Sequence, residues 1–480
     1  MTQNNTVPEV SEVSNLEEEL GQALSKRRSD IQAIINLVED KRVRLTHDEH
    51  HESYAVIEDG EKRQVLRMDS RRFQRWLSRQ YYKSTKKMRA ASKENLQAAI
   101  DILEAEAFEA PPVKLHNRFA HLDGAVWLDL ADDKHAVKVT PEGWEVVRHP
   151  PVLFRRLSHQ LPLPLPERGG SLQLLRPFLN LSVADDWAIL RAWIIAALLG
   201  EVARPILIFH GVQGSAKTTV ARLLRSLVDP CGIYSLDMGQ DRAEWAQALQ
   251  HHAVPVLDNL GHLKNWQENL LCRAVTGGGY TKRALYSNDD DVLWSFRRAI
   301  LITGINIPTV APDLLDRALL INLERLSPDK RREENELWRD FEALKPKILG
   351  ALLDALVGAM KHYPNIKPSN PVRMVDFYRW GAAISEALEP GGARAFEEAM
   401  ARNVARQTEE VLEGDPLADA IQDLVMHRQG IWEGSPSELL NKLNSDDSHR
   451  RDKYWPANSA ALGRRLRVLL ATFIGLPSLR

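Results

Sequence analysis

The stretch that most constrains this chain is Ile206 to Leu224, ILIFHGVQGSAKTTVARLL, where a short apolar run empties into a Gly/Ser turn and then into a helical pattern. The run predicts a buried strand. The turn sets Gly211, Val212, Gln213, Gly214, Ser215 and Ala216 in front of Lys217, Thr218 and Thr219. That order meets the demands of a phosphate-binding loop, in which backbone N–H groups wrap a polyphosphate, a lysine reaches its outer phosphates and a hydroxyl holds Mg²⁺. Gly211 and Gly214 let the backbone close on the anion, Lys217 supplies charge and Thr218 the hydroxyl, and a helix starting near Ala216 turns its positive end to the ligand. The usual pattern has Gly immediately before the lysine, and here Ala216 stands there. A Gly-rich turn of purely structural meaning is the competing reading.

The 480 residues are enough for two to four domains. Lys plus Arg is 63 and Asp plus Glu 65, a net charge of −2, so any nucleic-acid surface must be local. The two cysteines, Cys231 and Cys272, lack metal-ligand spacing and read as core thiols of a reducing compartment. No apolar signal segment and no run of about 18 apolar residues is present. The expectation is a cytoplasmic protein with no membrane partner.

In the N-terminal third, a polar acidic tail precedes a helix with Leu16, Leu20, Leu24, Ile31, Ile34, Ile35 and Val38 at helical spacing, and then a strand pair around Glu58-Asp59-Gly60. The segment from Ser70, SRRFQRWLSRQYYKSTKKMRAASKENL, mixes Arg and Lys with Phe73, Trp76, Tyr81 and Tyr82. Basic residues among aromatics suit a nucleic-acid surface. The alternative is a helix that buries Phe73, Trp76 and Leu77 and solvates its charges. Asp129, Asp132 and Asp133 read as a solvated turn, because their spacing is wrong for paired metal-binding carboxylates on a strand. His47, His50 and His51 read as exposed loop residues. The Pro/Gly segment LPLPLPERGGS, Leu161 to Ser171, reads as a linker, with an apolar helical pair after it from Leu172 to Leu199.

Downstream of the loop, VPVLD ends a second buried run in Asp258, a carboxylate placed to hold the water shell of Mg²⁺. Asn259 follows, where most hydrolytic ATPases of this kind place a water-activating Glu. RAILI, Arg298 to Ile302, is a third buried run, after which Thr303 or Asn306 could read the γ-phosphate. Arg317 stands about a dozen residues further on, as a finger for a neighbouring subunit's nucleotide or as a salt-bridge partner of Asp313 or Asp316. Between the second and third runs, Gly277 to Gly279 lead into a strand carrying Thr281, Lys282 and Arg283 and, after SNDDD, a return strand VLWSF. This predicts a hairpin with a basic arm.

GVQGSAKT, VPVLDN, the basic GGGYTKR hairpin, RRAILITGINIP and DRALLINL, in that order, resemble the superfamily 3 helicase type of AAA+ ATPase. More narrowly they resemble the ATP-binding, primase-helicase-like proteins of phages and integrated elements of bacteria. The resemblance runs from about residue 50 to the C-terminus and is strongest from Ile206 to Leu323. It implies an α/β fold with a P-loop AAA+ core, a parallel sheet between helices, and a homo-oligomeric, hexameric ring around single-stranded or forked DNA. It further implies ATP and Mg²⁺ at subunit interfaces, Arg317 acting in trans, Lys282 and Arg283 facing the pore, and replication or defence proteins as partners.

The C-terminal third reads as helices. Pro346 marks a break or a new start within Glu336 to Val357, and three short helices follow, Leu417 to His427, Ser435 to Leu443 and Ser459 to Thr472. The last carries Arg464, Arg465 and Arg467 and resembles the DNA-reading helix of a winged helix-turn-helix, with a basic solvated face as the alternative. The expected division is 1–25 acidic tail and helix start, 26–160 N-terminal α+β domain, 161–200 linker and helical collar, 201–345 ATPase core, 346–412 helical lid and 413–480 winged-helix-like DNA-binding domain. The function expected is an ATP-dependent DNA helicase or replication initiator of a mobile element. Ala216 and Asn259 keep open the alternative of a nucleotide-switched DNA-binding or assembly protein with slow or no hydrolysis.

Overall fold

The computed structural model describes residues 10–237, 239–261, 263–283, 291–304, 311–369, 373–413, 416–426, 432–444 and 455–473. The first residues of the acidic tail, the hairpin turn, Asn306 and the last residues lie outside them. The chain divides into two compact units, one comprising residues up to Asn117 with 131–136 and 147–158, the other 118–130, 137–146 and His159 onward.

In the first unit, α1 (Val10–Asp40) precedes a meander of β1 (Arg44–His47), β2 (Ser53–Asp59) and β3 (Lys62–Arg67), antiparallel in the order β1-β2-β3. Alternation along β2 separates two apolar faces. Ala55 and Ile57 pack with Ile34 and Val38 of α1, with Phe73, Leu77 and Tyr81 of α2 (Arg71–Ser84), and with Ile100 and Leu103 of α3 (Lys93–Ala107). Tyr54 and Val56 face Leu153, which lies in β9 (Leu153–Phe154), the parallel partner of β4 (Leu115–His116). Helix α2 is capped by Ser70, whose Oγ accepts from the Phe73 N–H at 3.3 Å. Trp76, expected on its buried face, is only half-buried.

Two loop readings change here. His47 is buried, with its Nδ1 3.0 Å from the Ala107 carbonyl and its ring 5.1 Å from that of Phe108, because the end of α3 offers an unpaired carbonyl. The Asp132–Asp133 turn is tied rather than solvated: Asp132 accepts from the Lys134 and His135 N–H groups, and Asp133 pairs with Arg156 at 2.8 Å. Asp129, at a strand end in the other unit, is buried.

The second unit begins with β5 (Phe119–Leu122), β6 (Ala125–Asp129) and the greater part of β7 (His135–Thr140) and β8 (Gly143–Arg148), strands of one sheet in that order. The Pro/Gly segment read as a linker packs into this unit. The Leu163 N–H donates to the Leu130 carbonyl at 2.8 Å and the Glu167 N–H to that of Pro346 at 3.0 Å. A Cβ on Gly350 would lie 1.8 Å from the Glu167 carbonyl oxygen, so only glycine admits this approach. The expected helical pair is a 3₁₀ turn, Leu172–Phe178, then α4 (Ala184–Ala197), which is buried over most of its surface.

The central sheet contains β10 (Ile206–His210), β11 (Val256–Leu257), β14 (Leu301–Thr303) and β15 (Ala318–Asn322), all parallel in the order β11-β14-β10-β15. Both faces are covered, as near-continuous apolar strands require. Leu207, Phe209, Val256, Leu301, Leu319 and Ile321 join α4 and α5 (Lys217–Val228) in one core. Ile206, Ile208, Leu257, Ile302 and Leu320 join α6 (Arg242–His251) and α7 (Asn265–Thr276) in another. After α7, β12 (Gly279–Arg283) and β13 (Asp291–Ser295) form the expected antiparallel hairpin, with Lys282 opposite Val292 and Arg283 opposite Asp291.

The short α8 (Pro312–Leu315) leads into β15, and α9 (Glu334–His362) runs unbroken through Pro346. The carbonyl of Pro346 is used by Glu167, and the helix does not restart there. Next come α10 (Val375–Leu388) and α11 (Gly392–Glu413). From α11, Asn403 donates to the Leu320 carbonyl at 2.6 Å and accepts from the Leu320 N–H at 3.3 Å, which closes the free edge of β15. The three C-terminal helices, α12 (Pro416–Met426), α13 (Pro436–Leu443) and α14 (Ser459–Phe473), share a small core of Leu417, Leu439, Leu440, Leu443, Leu462 and Leu469. Helix α13 has the predicted capping box between Ser435 and Glu438. No wing strand accompanies these helices among the described residues.

Candidate nucleotide site

The carboxyl ends of β10, β11 and β14 meet at one point, the place where open parallel sheets carry ligands. Parallel register sets Phe209 beside Thr303 and Leu257 beside Ile302, so the residues that follow β10 and β11 converge on the end of β14. Gly211 takes φ +138° and a Cβ there would stand 2.4 Å from the Leu323 carbonyl oxygen; Gly214 takes φ +82°. The loop between them and α5 therefore needs both glycines. Ala216 adopts φ +57°, ψ 27°, the left-handed conformation that the usual glycine of this motif tolerates freely and alanine does not. Val212, Gln213 and Gly214 are exposed, Ser215 is fully buried, and Thr219 is half-buried in the first turn of α5.

Lys217 folds back over the loop, donating to the carbonyls of Gly211 at 2.8 Å and Val212 at 3.1 Å. Partial burial holds its ammonium pKa below the ordinary lysine value, opposed by the negative charge of Asp258. Thr218 donates its hydroxyl to Asp258 Oδ1 at 2.8 Å. The Thr303 hydroxyl donates to the same oxygen and accepts from the Asn259 N–H at 2.9 Å. One carboxylate thus gathers the first helical turn after the loop, the end of β11 and the end of β14. Thr303 is almost completely buried, and of the two polar residues offered by the sequence after that run it is the one brought to Asp258; Asn306 lies outside the described residues. Asn259 is exposed at φ +54°, a conformation asparagine tolerates better than most residues.

Two braces carry no motif signature. Asn180 donates from Nδ2 to the Ser215 carbonyl at 2.8 Å and to that of Glu324 at 2.5 Å, tying the loop to the segment after β15. His210 lies with Nε2 3.3 Å from Glu410. Burial first, then Arg406 and Lys217, push its pKa down to about 4, so at neutral pH the ring is neutral and faces the carboxylate as a donor of its N–H, not as a cation. Only the polar Asn and His near an apolar run could have hinted at either.

Arg317 is paired within its own chain: it forms an ion pair with Asp313 and donates to the Asp313 backbone carbonyl at 2.7 Å. Arg464 is exposed and Arg465 half-buried on α14, which also carries Arg467. Cys272 is a buried thiol, as expected, and burial pushes it up to about 11. Cys231, although without ligand spacing in sequence, sits with His159 and His252, their donor atoms all within 4.8 Å. The Arg225 guanidinium donates to His252 Nδ1 at 2.8 Å, and a fixed cation on a candidate donor atom repels a metal dication. We read this group as a hydrogen-bonded part of the core.

Residues 172–401 match the family model described as the actinomycete integrative conjugative element replication protein, and residues 417–472 match the model of the C-terminal domain of that RepA protein. The chain carries both matched regions of a mobile-element replication protein. The first region contains Asn180, His210, the loop from Gly211 to Thr219, Asp258, Asn259, Thr303 and Arg317, whereas Glu410 lies beyond it; the second spans α12 to α14 but for Pro416 and Phe473. No curated protein matches this chain. Among solved structures, the apo C-terminal region of NrS-1 is similar at 12% identity and TM-score 0.41, covering 92% of this chain and 90% of that one. The JCV helicase is similar at 16% identity and TM-score 0.23, covering 44% of this chain and 63% of that one. With scores this low, neither likeness bears on the chemistry of this chain. No helix among the described residues is long and apolar enough to cross a membrane.

Proposed function

We propose that this replication protein is a DNA-dependent ATPase of the helicase type, coupling ATP binding and hydrolysis to movement on DNA. The observation that carries the reading is the convergence of the Thr218 and Thr303 hydroxyls on Asp258 beside a glycine loop capped by Lys217. The N–H groups of Gly211 to Thr219 would bind the phosphates, and Lys217 would exchange its two loop carbonyls for phosphate oxygens. A hydroxyl and a carboxylate in contact are hard oxygen donors, a set that fits Mg²⁺, with Thr218 and Asp258 as its holders. The ion would neutralise charge on the transferring phosphoryl group. Thr303 would position the γ-phosphate end of the site, and its hydrogen bond to the Asn259 N–H fixes where it stands.

In a homo-oligomeric, hexameric ring Arg317 would leave Asp313 to reach the neighbour's nucleotide, while Lys282 and Arg283 on the hairpin and Arg464, Arg465 and Arg467 on α14 contact DNA. Strand separation of a forked substrate tests the reading. Activity in the wild type and none in Lys217→Ala is expected, and equal activity in the two sinks it.

A second reading, a nucleotide-switched binding protein with negligible turnover, is favoured by one observation: the residue after Asp258 is an exposed asparagine in place of a general base. It predicts tight ATP binding, DNA affinity that changes with nucleotide, and no steady-state hydrolysis.

A further inference from the structure

Helix α2 belongs to the first unit and plays no part in the nucleotide site. From Ser70 to Lys93 the chain carries nine Lys or Arg residues and no Asp or Glu, although the whole protein is at net −2. The structure sorts this segment. Phe73, Leu77 and Tyr81 are buried, whereas Arg71, Arg75, Arg79 and Lys83 are exposed and recur every four residues, so they form one ridge about 6 Å apart along the helix.

Arg71, Arg75 and Arg79, with Gln74, Ser78 and Tyr82, line an open groove of about 680 Å³. Among the described residues these three arginines form no ion pair, whereas Arg89 beside them is held by Asp30 at 2.8 Å. Tyr82 leaves 43% of its surface exposed in the same groove.

This arrangement works against the helix that carries it. Like charges four residues apart repel, and arginines in the first turn oppose the helix dipole where carboxylates would help. A face that only needed solvation would interleave acidic residues. An unpaired cationic ridge beside an exposed aromatic is complementary to a strand of phosphates with accessible bases. The geometry points to this groove as a binding site for single-stranded DNA: Arg71, Arg75 and Arg79 contact the phosphate backbone, and Tyr82 offers a face on which a base stacks. The inference rests on the reading that the protein works on DNA, but it is independent of the nucleotide site.

The test uses the full chain without nucleotide and a fluorescent single-stranded oligonucleotide, titrated from roughly 50 to 200 mM salt, where backbone contacts are read as a slope. Replacing Arg71, Arg75 and Arg79 together with alanine is expected to weaken binding roughly tenfold or more and to flatten the slope of log K against log salt by about 2, at about 0.7 per phosphate contact. The triple Arg→Lys variant retains most of the slope. Tyr82→Ala weakens single-strand binding roughly five- to hundredfold and leaves duplex binding unchanged. Circular dichroism and urea unfolding of each variant match the wild type, which shows that the unit carrying α2 still folds, and ATP turnover without DNA is unaltered in all of them. Wild-type binding with an unaltered slope in the triple alanine variant overturns the groove and leaves the ATPase reading intact. A silent Tyr82→Ala overturns its single-strand assignment. A wild type that binds no DNA overturns the groove together with the DNA reading on which it rests.

Discussion

Asp229 shows what one buried charge does in this protein. Its Oδ1 accepts from Arg118 Nε at 3.0 Å, and its Oδ2 from the N–H groups of Ala253 at 3.1 Å and Val254 at 3.0 Å. Burial pushes its pKa up, but Arg118, Arg225 and the backbone donors together hold it below the ordinary aspartate value. Asp229→Ala strands two guanidiniums in the core and is expected to cost about 3–5 kcal/mol in urea unfolding; a loss under about 1 kcal/mol would show the pair to be dispensable. Ala216 gives the opposite expectation. In a helix interior Ala→Gly costs about 1 kcal/mol, but at φ +57° the strain of a left-handed alanine is released, so Ala216→Gly should be neutral or stabilising. The histidines set an acid limit. His252, pushed down to about 3 by burial and then by Arg225, and His210, down to about 4, stay neutral when folded, whereas unfolded histidines titrate near 6.5. Below that value the unfolded chain takes up protons that the folded chain refuses. The stability present above about pH 6.5 is therefore lost as pH falls toward 4, at up to about 1.4 kcal/mol per pH unit for each ring. A wild-type urea midpoint unchanged between pH 7 and pH 5 would contradict this.

At the level of elements, the edge of the central sheet depends on another helix. Asn403 of α11 stands in for a missing strand by pairing with both backbone groups of Leu320, so Asn403→Ala leaves a buried donor and acceptor unsatisfied at about 1–3 kcal/mol each. Hydrogen exchange at Leu320 should accelerate; if it does not, the edge is closed by packing alone. The strands themselves were legible, because short continuous apolar runs ending at Gly211, Asp258 and Thr303 announce strands buried on both faces, as in a parallel sheet. The hairpin and the Ser435 capping box were legible for the same local reason. Long-range contacts were not. The pairing of Asn180 with the Ser215 carbonyl joins positions 35 residues apart, and the cluster of His159, Cys231 and His252 forms only when three separate segments fold together. The Pro/Gly segment misled by composition, since glycine also serves where backbone must pass close to a helix, as at Gly170, where a Cβ would stand 1.9 Å from the Lys347 carbonyl oxygen. Pro346 misled because a long apolar helix outweighs one missing N–H.

For the whole molecule, the proposal divides labour: a nucleotide site on the central sheet and cationic surfaces on the hairpin, α14 and the α2 groove. If subunits share sites, Lys217→Ala and Arg317→Ala are each inactive alone, yet mixing them restores part of the ATP turnover, because some interfaces regain an intact pair. No recovery on mixing would place Arg317 with Asp313 as a purely structural pair. The central claim, that ATP turnover and DNA are coupled through Lys217 and Asp258, is tested most directly by steady-state ATP hydrolysis with and without single-stranded DNA. The account predicts turnover by the wild type that rises when DNA is added and is abolished by Lys217→Ala, and turnover that DNA leaves unchanged, or that survives Lys217→Ala, would contradict it.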